Sequence, residues 1–165
     1  MTTTRGTQLA QGIRQKVTAL KQACQGVDED LASRAPGDRW SPKQVLSHLC
    51  GPEGIGHLPL LRSFLDNDIP TLDLDTENPF FTEHRARMSF AELVAECEQN
   101  YERVANLAAE LSDEQMARKA HVTKLKDTPL GEYPTLEGMI SGLGEYHVQF
   151  HTDHLREILA ALSAE

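Results

Sequence analysis

The chain has 165 residues and a mass of 18.3 kDa, about one domain, with 39% hydrophobic and 25% charged residues. That composition belongs to a folded globular protein and excludes a disordered one. Sixteen Lys and Arg face 25 Asp and Glu, for a net charge of −9, and with no basic run to dock a phosphate backbone, nucleic acid is excluded as the expected partner.

No apolar run approaches the ~20 residues that cross a bilayer, and the N-terminus lacks an apolar signal core. The expectation is a cytoplasmic protein with no membrane contact. Cys24, Cys50 and Cys97 are odd in number and never form a C-x-x-C, so they read as reduced thiols in the core.

Helical periodicity dominates the chain, and sustained β-type alternation is hard to find. Leu9, Ile13, Val17, Leu20, Cys24 and Val27 form one apolar stripe, which predicts a first helix ending near Gly26 and Asp28, with a short extra turn after it. Ser41, Pro42 and Gln44 form a capping box with Pro at the first helical position, and Trp40 and Val45 make a hydrophobic staple, so a second helix starts at Ser41. Gly51-Pro52 breaks that helix, and Pro59 restarts it through Leu60, Leu61, Phe64 and Leu65.

Residues 66–88 show no sustained period and are expected to be a long crossover loop, a feature that tends to be functional. A capping box at Ser89–Glu92 opens a third helix carrying Phe90, Leu93, Val94, Cys97, Tyr101, Val104, Ala108 and Leu111. A further box at Ser112–Gln115 predicts a short helix, followed by a loop through Gly131. A fourth helix runs from near Thr135 to Leu162. No linker divides the chain, so the expectation is a single all-α domain over 1–165, an up-down-type four-helix bundle with a long crossover.

The fourth helix carries the chemistry. Its stripe reads Leu136, Ile140, Leu143, His147, His151, His154, Ile158, Leu162, so three of the seven histidines occupy consecutive slots on an otherwise aliphatic face. Buried imidazoles need partners, and a divalent transition metal satisfies several at once. Side chains at i, i+4 converge on one ion, which fits His147 with His151. His151 with His154, at i, i+3, is the competing pair. His48, on the core side of the second helix, supplies a third ligand. Three protein ligands and an open position make the catalytic zinc pattern.

Glu53 and Glu145 stand near these histidines as candidates for a general base or for accepting a ligand N–H, beside the plainer reading of solvated helix-face carboxylates. His154 is a candidate proton relay. Arg85, Arg87, Lys124 and Lys126 lie in loops placed to hold an anionic co-substrate. Trp40 is assigned to helix-start packing, and His57, His84 and His121 to the exposed surface.

Trp40-Ser41 with His48-Leu49 on one helix, and Tyr146-His147-x-x-x-His151-x-x-His154-Leu155 on the last, resemble the DinB/YfiT-like superfamily of metal-dependent four-helix bundles from about residue 8 to 162. The resemblance implies a metal site at His48, His147 and His151. It also implies zinc or nickel as the metal, a homodimer, and either hydrolysis or transferase and isomerase chemistry with a low-molecular-weight thiol on a small-molecule substrate, in a detoxification or stress role. A different class of function, a non-catalytic metal- or ligand-binding bundle acting through dimerisation or a partner, fits the same residues.

Overall fold

A computed structural model describes residues 4–165, which are helical and loop with only isolated β-bridges, Thr71 with His121 and Lys119 with Thr135. The first helix, α1 (Thr4–Ala23), buries Leu9, Ala10, Ile13, Val17 and Leu20, the predicted stripe. The extra turn is α2 (Glu29–Ser33), where the Asp28 carboxylate accepts from the Leu31 amide.

Helix α3 (Pro42–Cys50) opens with the expected capping box, Ser41 and Gln44 exchanging side chain-to-backbone bonds. It ends at Gly51, whose φ of 75° reverses the chain. The restart is α4 (Leu58–Asp66), which buries Leu58, Leu61 and Phe64. Helix α6 (Phe90–Glu110) and the short α7 (Asp113–Met116) start at their predicted capping boxes. Between α4 and α6 the crossover departs from expectation. It contains a further helix, α5 (Glu83–Arg87), capped by the Thr82 hydroxyl, because five residues are too few to show a helical period.

The fourth helix also differs from the single run expected. Helix α8 (Leu136–Ser141) and helix α9 (His147–Ser163) are joined by a π turn over Gly142–Tyr146, in which the His147 amide bonds to the Gly142 carbonyl five residues back. The added residue rotates the face. Leu143, expected inside, is only half-buried, and Gly144 is buried in its place. A Cβ at Gly144 would lie 2.6 Å from Ile13 Cγ1, so glycine permits the close approach of this turn to α1. π turns of this kind recur at functional sites.

The long helices form a four-helix bundle. Helix α1 packs chiefly on α6 and α9, and α3 packs on the same two, which sets the first two long segments on opposite sides of the α6/α9 pair. Among the described residues, thirty-three buried apolar ones form one core that reaches the end of the bundle where α3 meets α9.

Candidate metal centre

His48 occupies the last turn of α3, where the helix gives out before Pro52 and leaves carbonyls without helical partners. Side chains from the neighbouring elements satisfy them. The Tyr101 hydroxyl donates to Leu49 O at 2.9 Å, Asn100 Nδ2 donates to Cys50 O at 3.2 Å, and Arg85 Nη1 donates to Gly51 O. The broken helix end is thereby fixed, and the pose of His48 with it.

Arg85 is wholly buried, pairs with Glu96 at 3.2 Å, and donates as well to the Ser47 and Phe80 carbonyls. This corrects the expectation that Arg85 holds an anionic co-substrate, since its charge and donors are consumed inside the protein. Lys124 is likewise engaged, by the Leu74 carbonyl and by Asp73 at 3.4 Å.

The crossover reaches the site at residues 75–80. The Asn78 carbonyl accepts from His48 Nδ1 at 2.7 Å, which leaves the Nε2 lone pair of the neutral ring facing inward. The Asn78 side chain is itself held, accepting from the Phe80 amide at 2.7 Å and donating to Asp75 at 3.0 Å. Phe80 has a φ of 50°, rare for a bulky side chain. Its carbonyl is fixed by Ser47 Oγ at 2.9 Å, and its ring lies 6.4 Å from that of His48 at an interplanar angle of 15°.

Three imidazoles converge. One ring nitrogen from each of His48, His147 and His151 lies within 4.8 Å of the other two, and this is the one such group of potential metal donors among the described residues. His48 Nε2 and His147 Nε2 are 3.1 Å apart. Two nitrogens bound at 2.0–2.1 Å to one tetrahedral ion stand about 3.3 Å apart, so this spacing suits a shared cation. His151 Nδ1 meets His154 Nδ1 at 3.2 Å, which puts His154 behind His151 and outside the group of three.

Trp40 sits against the cluster, with its centroid 5.0 Å from that of His48, 6.5 Å from His151 and 6.3 Å from His154. It therefore walls the site as well as starting a helix. Phe150 lies edge-on to His151 at 5.0 Å, with Tyr146 6.4 Å beyond it. These two aromatics are 55% and 73% exposed and form an apolar lip beside the cluster.

Burial and mutual repulsion keep these rings neutral. His147 is pushed down to about 2, first by burial and then by the proximity of His151, His48 and His57. His151 falls to about 3 through burial, then His48 and His154. His48 and His154 are also lowered, burial being the largest cause for each. Neutral imidazole is the form that ligates metal.

The remaining candidates have neighbours of their own. Glu53 is exposed, accepts from the Thr82 hydroxyl and pairs with His84 at 3.6 Å. Glu145 accepts from Ser141 at 3.1 Å and packs on Gly12 of α1. His121 pairs with Glu132 at 2.8 Å and stacks on Tyr133. His57 is not an exposed surface residue: its Nε2 is buried, and its ring lies 6.4 Å from that of His147. Only the Gly51-Pro52 break, which folds the chain back after α3, pointed to its position.

A family model described as the DinB superfamily matches residues 13–158. The chain belongs to the DinB superfamily. Its fold is similar to that of YfiT from Bacillus subtilis, described as a probable metal-dependent hydrolase with an unusual four-helix bundle topology. The TM-score is 0.76 at 19% identity, covering 99% of this chain and 90% of that one. None of the curated proteins matches this chain. The DinB membership covers both halves of the histidine cluster, His48 on α3 and His147 and His151 on α9.

Proposed function

We propose that this DinB protein is a metal-dependent enzyme acting on a small molecule, with one divalent transition ion, zinc or nickel, held by His48, His147 and His151. The observation that carries the reading is the convergence of three neutral imidazoles from two distant helices within 4.8 Å. Bound there, the ion would supply Lewis acidity, polarising an electrophile or acidifying water or a thiol at its open position. The description of YfiT as a probable metal-dependent hydrolase supports the same reading.

The chain's own residues do the positioning. The Asn78 carbonyl fixes the His48 tautomer and His154 orients His151, roles that carbonyls and side chains commonly play around metal-ligating histidines. Trp40 and Phe80 pack their rings against that of His48. Tyr146 and Phe150 offer an apolar contact for substrate. Glu53, taken up by Thr82 and His84, is assigned to holding the crossover in place.

Hydrolysis is the first reading, in keeping with the description of YfiT, and Arg85, one of the four cations placed to hold an anionic thiol, is consumed inside the protein. Thiol transfer in a detoxifying role is the second, and it carries with it the family's expectation of a cytoplasmic homodimer. Purified, metal-loaded protein is incubated with activated esters and with a chloro-dinitroaromatic, with and without low-molecular-weight thiols. Ester turnover without thiol, lost in His48→Ala, is the expected result. Aromatic turnover only with thiol selects transfer, and no turnover of any kind selects the non-catalytic metal-binding bundle.

A further inference from the structure

Two buried ring nitrogens beside the three-histidine cluster have no hydrogen-bond partner, Nδ1 of His147 and Nε2 of His57. Such atoms are rare in folded proteins. They belong to adjacent rings, with centroids 6.4 Å apart and planes at 75°.

Their chemistry is complementary. A neutral imidazole carries one N–H and one lone pair, so an unpartnered ring nitrogen is left either as a donor or as an acceptor. With its proton on Nδ1, a neutral His57 ring presents a bare lone pair at the unpartnered Nε2. His147 is in the opposite state when it ligates through Nε2, since its proton then sits on Nδ1 and needs an acceptor.

Rings at this separation keep their nitrogens no closer than about 4 Å, too far for a direct bond, so a link between them needs a bridging water. His57 is itself held in place. It lies in the turn where Gly51 reverses the chain, and a Cβ at Gly51 would lie 2.8 Å from the His57 ring.

We infer that His57 is a positioning residue for His147, accepting through one water the Nδ1 proton that His147 carries when its Nε2 faces a metal. The inference rests on the proposed three-histidine metal reading and adds to it a half-buried residue outside the group of three.

The test is the dissociation constant for Zn2+ and Co2+, measured by chelator competition on wild type, His57→Phe, His57→Gln and His147→Ala. His57→Phe is expected to weaken binding about 10–100-fold and to shift the Co2+ visible spectrum. His57→Gln, which restores an acceptor, is expected to recover most of the affinity. Melting of the metal-free variants separates this from loss of fold.

In wild type, a slowly exchanging His147 ring proton is expected to appear in 15N NMR on adding Zn2+. Its absence overturns the inference, whatever the variants do. If wild type binds metal and His147→Ala loses it while His57→Phe stays within twofold, the positioning role fails and the metal site stands. If wild type binds neither ion, both readings fall together.

Discussion

At the scale of single residues, the site is a set of imidazoles that the fold keeps uncharged. His147 at about 2 and His57 at about 4 lie below the ordinary histidine value of 6.5. The folded, metal-free protein therefore binds fewer protons than the unfolded chain between those values and 6.5. Their contribution to stability is complete above about pH 6.5 and is lost as the pH falls through that window, at up to about 1.4 kcal/mol per pH unit for each proton. Urea midpoints of metal-free protein are expected to fall between pH 7 and pH 5, and to fall less steeply in His147→Phe. Identical slopes would contradict the buried neutral state of His147.

His151 and His154 separate by the same reasoning. His151→Ala should abolish metal binding. His154→Ala, which removes only the group behind His151, should retain the ion with about 10–100-fold weaker affinity. Equilibrium dialysis reads both outcomes, and complete metal loss in His154→Ala would make it a ligand. The histidine cluster was legible in the sequence because helical spacing alone stacks 147, 151 and 154. The role of His57 was not legible, because it depends on a chain reversal at Gly51 that no periodicity encodes.

At the scale of elements, two features hold the site in shape. Arg85 in α5 ties the crossover to the end of α3 through Glu96 and the Ser47, Gly51 and Phe80 carbonyls. Arg85→Met should cost about 3–5 kcal/mol, because it strands the Glu96 carboxylate, and chemical denaturation measures the loss. A cost below about 1 kcal/mol would show that the crossover does not depend on it.

The π turn is the second feature. Gly144→Ala should cost about 1–3 kcal/mol by overpacking against Ile13, and an unchanged denaturation midpoint would mean the α1 contact yields freely. The helix starts were legible because capping boxes are local, as at Ser41, Ser89 and Ser112. The π turn and α5 escaped notice, the first because a single added residue hides inside a 3.6-residue period. Arg85 read as an exposed loop cation for a related reason: its partner Glu96 lies on the following helix, and only packing brings the two together.

At the scale of the whole molecule, the bundle joins α3 to α9 across about a hundred residues of chain, so that His48 meets His147 and His151 only in the folded state. That juxtaposition follows from α3 and α9 packing together, a pairing that sequence could give as a family resemblance but not as geometry. An ion that binds only this state should stabilise it, by about 2.7 kcal/mol at a hundred times the dissociation constant.

The measurement closest to the central claim is the metal content of protein purified without an affinity tag, set beside the same measurement on His48→Ala. Wild type should hold about one zinc or nickel ion per chain after exposure to metal, and the variant close to none. A wild-type value below about a tenth of an ion, or a His48→Ala value equal to wild type, would contradict a shared site between α3 and α9.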